Sequence, residues 1–221
     1  MLEKKSSMWK CWDKSKNEKL YIQAGFCTAG SILDVGFAAN PNPYIQNAIG
    51  LDIAIPEAIP KNYVGVVQCN LNIESIPFKD EHFDNVIAGD LIEHLENPSH
   101  FLREANRVLK DNGRLVICTP HANDWWVTLH NWFFRGVVND PDAGEHLQNW
   151  TILDMKRLLK KSGFRLIAME GYYMHFPKIN LAIKVRRFPV LSWQIFYVAC
   201  KYANPDTTVL TRIDKKWIRV E

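Results

Sequence analysis

The strongest constraint on the fold of this chain is the alternation of short apolar segments with longer segments of helical periodicity. Apolar runs of strand length, separated by helical segments, are typical of a mainly parallel α/β sheet. Seven strands are predicted, at residues 31–35, 51–55, 63–69, 83–88, 114–119, 164–172 and 193–200. Helices are predicted at residues 44–49, 98–110 and 152–161. The pattern indicates a single α/β domain over residues 1–221, interrupted at residues 121–147.

Two of these helices have recognisable ends. Pro98 suits the first turn of the helix at residues 98–110, and the Asn112-Gly113 pair is expected to end it. Thr151 and Asp154 form an N-capping pair for the later helix. The apolar residues of the helix at residues 98–110 recur at a spacing that places them on one face: Phe101, Ala105, Val108 and Leu109.

Composition excludes several classes of protein. A hydrophobic content of 47 % supplies ample material for a core, so disorder is not expected. A net charge of only +3, with basic residues scattered among acids, argues against a nucleic-acid partner. No apolar run approaches the length of a membrane span, and the polar N-terminus lacks a signal-peptide pattern, so stable membrane insertion is not expected. The five cysteines are widely spaced without a C-x-x-C pair, which favours a reduced, cytoplasmic protein without a zinc site.

The segment ILDVGFAAN, residues 32–40, is the first candidate for a binding site. An apolar strand delivers Asp34 and then Gly36 into a turn, at the sheet edge where ligands of open α/β folds bind. Gly36 permits a sharp turn and a close approach of a ligand to the backbone. Asp34 can hold a cationic group or orient the loop. Asp52, at the end of the next strand, occupies the position that accepts hydrogen bonds from ribose hydroxyls.

The segment from Val66 to His121 carries the most specific pattern. It contains IPF-x-D-x-x-FD at residues 76–84, EHLENP at residues 93–98 and NRVLK-x-x-G at residues 106–113, followed by a strand that ends in Thr-Pro. Together with residues 31–54 and 145–164, this run closely resembles the class I S-adenosylmethionine-dependent methyltransferases, in the subgroup related to small-molecule methyltransferases.

The resemblance implies a fold, a cofactor and an activity. The fold would be Rossmann-like, a mostly parallel seven-stranded sheet flanked by helices, with its last strand antiparallel. The cofactor would be S-adenosylmethionine, with S-adenosylhomocysteine as product, and the acceptor an O, N or C atom of a small molecule. By the same resemblance Asp34 and Gly36 would lie against the methionine half and Asp52 would bind the ribose. The remaining cofactor-binding positions would be Asn70 and Leu71 at the adenine and Gly89 and Asp90 at the sulfonium.

The loop after the first strand departs from the family pattern, because GFAAN retains only Gly36 where two or three glycines are usual. If Ala38 must adopt a left-handed conformation, the cost is roughly 1–2 kcal/mol. The alternative hypothesis is therefore a non-catalytic descendant of the fold that binds a cofactor or a partner, with Phe37 or the insertion filling the pocket. An NAD-dependent oxidoreductase is disfavoured, since G-x-G-x-x-G is missing.

Histidines supply the candidates for proton removal. His146 precedes the helix at residues 152–161 and, by resemblance, points toward the acceptor, so it is the predicted catalytic residue. His121 and His130 are weaker candidates. Glu93 and His94 are interpreted as helix-entry residues, so no metal site is predicted. The Asn40-Pro41-Asn42-Pro43-Tyr44 segment resembles a motif of amino-group methyltransferases but follows the wrong strand, which favours a simple turn.

The interruption at residues 121–147 is rich in aromatic residues: Trp125, Trp126, Trp132, Phe133 and Phe134. A sulfonium ion is attracted to aromatic faces, and a dry lid would exclude water from methyl transfer. The segment is therefore predicted to be an acceptor-site insertion or lid. A homodimer contact is the alternative, because exposed apolar patches mark interfaces. The basic, apolar segment at residues 177–191 is interpreted as an amphipathic connection, with contact to an anionic membrane surface as a variant.

Overall fold

The structure is a computed structural model that describes residues 7–134, 146–176, 181–205, 209–213 and 216–220. Its helices are α1 (Ser7–Phe26), α2 (Pro98–Val108), α3 (Trp125–Phe134) and α4 (Ile152–Lys161). Its strands are β1 (Ile32–Val35), β2 (Ala48–Asp52), β3 (Tyr63–Gln68), β4 (Phe83–Gly89), β5 (Leu109–Pro120), β6 (Phe164–Gly171), β7 (Tyr173–Phe176), β8 (Leu181–Lys184), β9 (Gln194–Lys201), β10 (Val209–Ile213) and β11 (Lys216–Val220). Short 3-10 helices lie at Ile92–His94 and Pro189–Leu191.

Seven strands form one sheet in the order β3-β2-β1-β4-β5-β9-β6. The pairs among the first five strands are parallel, whereas β9 runs antiparallel to both β5 and β6. This is the Rossmann-like arrangement predicted from the sequence, with its last strand reversed. The pairs β7-β8 and β10-β11 form separate two-stranded sheets.

The two faces of the sheet bury separate apolar clusters. On one face α2 and α4 supply buried residues that pack against alternate residues of β1 and β4, as period-2 strands and period-3.6 helices require. On the other face α1 packs over the opposite set, with Ala24 and Phe26 against Ile32 and Ile87. The sheet is therefore covered on both faces, as parallel sheets generally are.

The connection between β1 and β2 differs from the prediction. Residues 44–49 were expected to be helical, but they form a turn followed by the start of β2, which spans Ala48–Asp52 rather than residues 51–55. Asn47 has a φ of 53°, in the left-handed region that a right-handed helix cannot use. Within the described residues, neither this connection nor the one between β2 and β3 contains a helix. Residues 36–47 thus connect the parallel strands β1 and β2 as a loop, whereas such a crossover usually contains a helix.

Two further boundaries differ from prediction. Helix α2 ends at Val108, and β5 begins at once at Leu109, because Leu109 already pairs with Phe83 before a register shift. Asn112, with a φ of 59°, and Gly113 therefore lie inside β5 instead of ending the helix. Helix α4 begins as predicted, since the Thr151 hydroxyl accepts a hydrogen bond from the Asp154 N–H at 3.1 Å. Among the described residues, every helix is too short or too polar to cross a bilayer.

Candidate functional site

The carboxyl ends of β1, β2, β3 and β4 bring the predicted cofactor-binding positions to one edge of the sheet. These strands are neighbours, and in their register Asp34 lies opposite Gly50 and Asp52 opposite Gln68. Gly89 closes β4 at the same edge. The predicted positions are therefore assembled rather than scattered: Asp34, Gly36, Asp52, Asn70, Leu71, Gly89 and Asp90.

The loop after β1 turns on its single glycine. Gly36 has a φ of 76°, and its N–H donates to the Leu51 carbonyl at 2.8 Å. The Ala38 N–H donates to the Asp52 carboxylate at 2.8 Å, which ties this loop to the end of β2. Ala38 is not among the described residues of positive φ, so it does not adopt the strained left-handed conformation considered from the sequence. The depleted glycine pattern is thus compatible with an unstrained loop.

Phe37 does not fill the predicted pocket. Its ring is buried in the apolar cluster beneath the loop, where it packs 5.1 Å from the Tyr63 ring. A Cβ added to Gly50 would lie 2.6 Å from the Phe37 ring, so Gly50 makes room for it. The hypothesis of a pocket blocked by Phe37 is therefore not supported.

The Asp34 carboxyl faces the protein interior. Its side chain accepts a hydrogen bond from the Tyr63 hydroxyl, which in turn accepts one from the Asn42 N–H at 2.9 Å. Burial raises the pKa of Asp34 to about 7, and the Tyr63 hydrogen bond only partly opposes this effect. Of the two roles considered for Asp34, orientation of the loop is the one that these contacts support.

Asn70 and Leu71 begin the turn after β3. The Asn70 side-chain oxygen accepts from the Asn72 N–H at 3.1 Å, and the Asn70 N–H donates to the Glu74 carboxylate at 2.5 Å. Leu71 is buried in the core. The turn is thus held by its own side chains at the edge where an adenine ring is predicted to bind.

Helix α1 reaches the end of β4, which the sequence did not predict. A Cβ at Gly89 would lie 2.4 Å from the Gln23 side-chain nitrogen, so α1 packs directly on that glycine. The Asp90 carboxylate pairs with Lys19 of α1 and accepts from the Gln194 side chain of β9 at 2.8 Å. Burial is the largest single effect and lowers the pKa of Lys19, but the charge and hydrogen bond of Asp90 and the other neighbouring groups together raise it above its ordinary value. Asp90 adopts a φ of 50°, a strained conformation typical of functional sites.

Glu93 is a buried carboxylate three residues beyond Asp90. It is 1 % exposed, and the Thr119 hydroxyl donates to its Oε2 at 2.9 Å. Burial, and then the nearby Asp90 charge, raises the pKa of Glu93 to about 8. Glu93 and His94 lie on the separate 3-10 helix, whereas α2 is capped by Asn97. The interpretation of Glu93 and His94 as helix-entry residues is therefore wrong.

His146 is brought to this pair from a distant part of the chain. The rings of His94 and His146 lie 4.8 Å apart between centroids, in an edge-to-face arrangement. The Leu147 and Gln148 N–H groups donate to the Glu93 carbonyl at 2.9 Å and 3.0 Å. His146 therefore lies beside Glu93 and His94, and its catalytic role stays a prediction. By contrast His121 is buried, its N–H donates to the Trp193 carbonyl, and the His130 side chain lies outside the described atoms.

The aromatic insertion is described only in part. Trp125 and Trp126 lie on α3, where the Trp125 ring packs 4.7 Å from Phe176. Trp132 and Phe133 are 79 % and 68 % exposed. Residues 135–145 lie outside the described residues, and so does the Phe134 side chain. The lid and the homodimer contact both stay predictions.

Comparisons with known proteins agree on one family. Residues 33–117 match the model of a family described as "Methyltransferase domain". An uncharacterized protein of Methanocaldococcus jannaschii is 34 % identical over 174 residues, which cover 70 % of this chain and 69 % of that protein. A "Probable S-adenosylmethionine-dependent methyltransferase" of Mycobacterium tuberculosis is 26 % identical over 161 residues, and the match covers 70 % of this chain but 55 % of that protein. The chain thus spans little more than half the length of the mycobacterial relative.

Solved structures share the fold at low sequence identity. A SAM-dependent methyltransferase of Thermotoga maritima aligns with a TM-score of 0.62 and 16 % identity, over 88 % of this chain and all of that one. The 1,6-didemethyltoxoflavin-N1-methyltransferase of Burkholderia thailandensis, solved with bound 1,6-didemethyltoxoflavin and S-adenosylhomocysteine, aligns with a TM-score of 0.55 and 14 % identity. That alignment covers 90 % of this chain and 80 % of the Burkholderia enzyme.

Proposed function

The chain belongs to the class I S-adenosylmethionine-dependent methyltransferases, and we propose that it transfers the methyl group to an O, N or C atom of a small-molecule acceptor. The enzyme class and its cofactor follow from the family. The acceptor class is the proposed part. It is supported by the fold shared with the Burkholderia 1,6-didemethyltoxoflavin-N1-methyltransferase, whose structure holds bound 1,6-didemethyltoxoflavin.

The residues at the sheet edge fit the cofactor. Gly36 turns the chain without a side chain, and Asp52 presents a half-buried carboxylate already anchored by the Ala38 and Ala54 N–H groups. We assign Asp34 and Gly36 to the methionine side, with Asp34 acting through the loop that it orients. When bound, S-adenosylmethionine supplies a methyl group activated by its sulfonium charge. Asp52 would hold the ribose, Asn70 and Leu71 the adenine, and Gly89 and Asp90 the sulfonium end.

The polar residues beyond β4 form the acceptor side in this proposal. Asp90 is fixed from two directions by Lys19 and Gln194, so its carboxylate cannot swing into the reaction path. His146 is half-buried and is held by its neighbours' bonds to Glu93, which suits a group that acts on the acceptor's proton. Holding the acceptor in line with the methyl group can contribute roughly 7–11 kcal/mol.

A reducing location such as the cytoplasm is part of the proposal. Four cysteines have described side chains and are free thiols, and three of them are buried: Cys69, Cys118 and Cys200. Buried free cysteines behave as small core residues and need no oxidising compartment.

Binding and labelling together test the proposal. Calorimetric titration of the full chain with S-adenosylhomocysteine is expected to give one site, and Asp52→Ala is expected to weaken it roughly tenfold or more, since hydrogen bonds to a charged acceptor contribute about 1.5–3 kcal/mol. Exposed Asp111→Ala serves as the matched control. Methyl-labelled cofactor incubated with a fractionated cell extract is then expected to label small molecules. Label confined to protein or nucleic acid would overturn the acceptor class.

A further inference from the structure

Three side chains with metal-binding atoms converge beside Asp90. Glu93 and His94 come from the 3-10 helix, and His146 comes from the segment before α4. One ligand-capable atom of each lies within 4.8 Å of the other two. Neither the family's cofactor site nor the sequence pattern requires this convergence, so it calls for a separate explanation.

One oxygen of the buried Glu93 carboxyl has no hydrogen-bond partner among the described residues. Its Oε2 accepts from Thr119, but its Oε1 is buried and has no hydrogen-bond partner in the part of the chain that the structure describes. A buried carboxylate oxygen without a partner is costly, and buried charges are normally paired or bind metals. This oxygen belongs to the same residue that supplies the carboxylate of the cluster.

The position of His146 is fixed by the cluster itself. The two residues that follow it, Leu147 and Gln148, both donate their N–H groups to the Glu93 carbonyl. The backbone of Glu93 thus anchors the segment that carries His146, while the side chain of Glu93 faces the same cluster. These two backbone hydrogen bonds hold His146 beside Glu93 more firmly than a chance contact of a surface histidine would.

We propose that Glu93, His94 and His146 form a binding site for a divalent transition-metal ion. Two imidazoles and one carboxylate are a ligand set for ions such as Zn²⁺, Mn²⁺, Fe²⁺ or Co²⁺, and they leave coordination positions open. Ligands of a tetrahedral zinc ion lie about 3.4 Å apart. Metal binding would therefore bring ligand atoms that lie within 4.8 Å of one another closer by at most about 1.4 Å, through side-chain rotations of the half-buried histidines.

The charge balance favours an ion at this place. Lys19 already forms an ion pair with Asp90, and among the described residues the Glu93 carboxyl makes no ion pair of its own. A divalent ion on Glu93 would carry one net positive charge, and that charge suits a developing oxyanion on the acceptor.

The site narrows the acceptor to a hydroxyl compound, a conclusion that rests on the proposed methyl transfer. A hydroxyl bound to a divalent ion loses its proton more easily. The acceptor hydroxyl then gives its proton to water, its oxygen forms the new bond to the methyl carbon, and the electron pair of the broken carbon–sulfur bond stays on sulfur. His146 would serve as a ligand in this case, not as a free base.

Metal titration of the chelator-treated full chain tests the site. Co²⁺ is added alone and followed by its visible absorption, and Zn²⁺ and Mg²⁺ are followed by calorimetry. We expect one Co²⁺ per chain, with the intense absorption of a low-symmetry site, and at least roughly tenfold weaker binding of Mg²⁺ because two of the ligands are imidazoles. His146→Ala and Glu93→Gln are each expected to weaken Co²⁺ binding tenfold or more. Loss of a residue that merely supports a metal ligand already weakens metal affinity about 10–100-fold.

The controls separate this proposal from the methyltransferase proposal. His82→Ala, at the opposite end of β4, is expected to leave Co²⁺ affinity unchanged. The His146→Ala variant is expected to bind S-adenosylhomocysteine with the affinity of the natural chain. This retained binding would also show that the variant is folded. Absence of Co²⁺ binding, or affinity that is equal in the natural chain and all three variants, would overturn the metal site. Failure of the natural chain to bind S-adenosylhomocysteine would instead contradict the proposed function.

Discussion

Asp34 illustrates how one residue can link stability to pH. Its pKa is raised to about 7 by burial, so the folded chain holds this proton more tightly than the unfolded chain does. The resulting stabilisation is complete below about pH 4, the unfolded value, and is lost as the pH rises through about 7. The contact that remains, from the Tyr63 hydroxyl, requires only an acceptor oxygen.

Asp34→Asn is therefore expected to stabilise the protein at pH 8. The amide keeps an acceptor for Tyr63 and removes the buried charge, so the free energy of unfolding at pH 8 should rise by roughly 1–4 kcal/mol. At pH 4 the difference between the variant and the natural chain should fall below about 1 kcal/mol. Urea unfolding at both pH values measures this, with exposed Asp111→Asn as control. An unchanged pH slope in Asp34→Asn would contradict the assignment.

Lys19 allows a comparison of a buried ion pair with an exposed one on the same helix. Lys19 is 4 % exposed and pairs with Asp90, whereas Glu18 pairs with Lys184 near the surface. We expect Lys19→Met to lower the free energy of unfolding by roughly 1–3 kcal/mol, a discounted value because Asp90 is one third exposed. Lys184→Met should cost less than about 1 kcal/mol. Thermal unfolding of the two variants compares them, and equal losses would refute a buried role for Lys19.

At the scale of elements, the crossover from β1 to β2 is held by side chains where a helix is usual. Asn42, 1 % exposed, donates to the Leu20 carbonyl of α1 at 2.9 Å and accepts from the Tyr44 N–H at 2.9 Å. The Asn62 side chain donates to the Asn42 carbonyl at 2.8 Å, which joins the next connection to the same network. The Asn-Pro segment is thus a structural turn, as the sequence indicated.

Removal of Asn42 should loosen both this crossover and the cofactor loop. Asn42→Ala removes the buried side-chain hydrogen bonds to the Leu20 carbonyl and from the Tyr44 N–H, so we expect a loss of about 1–3 kcal/mol in the free energy of unfolding. S-adenosylhomocysteine affinity should fall severalfold, since Gly36 and Ala38 lie on the same connection. Urea unfolding and calorimetry measure the two effects. Half-buried Asn40→Ala, in the same segment, is the control and should change neither by a comparable amount.

At the scale of the whole molecule, local patterns predicted the sheet but not its long-range contacts. The strands that carry Asp34, Asp52 and Gly89 were predicted because apolar periodicity and turn glycines are local signals. The packing of helix α1 on the end of β4 was not predicted, because it depends on the contact of Lys19 with Asp90, 71 residues away, and local patterns carry no information on such contacts. The helix predicted at residues 44–49 failed because apolar spacing cannot reveal the left-handed Asn47. The meeting of His146 with Glu93 is likewise a product of tertiary structure.

The position of β9 within the sheet has a consequence for synthesis of the protein. Although β9 follows β6 in the chain, it lies between β5 and β6, and its first residue, Gln194, holds Asp90. While the chain is being made, β5 therefore keeps an open edge until residue 201 has left the ribosome, and β6 has no neighbour to pair with. Such an edge is a site for wrong pairing with other chains. Wrong pairing at the β5 edge is therefore expected to be most frequent in the interval before β9 emerges.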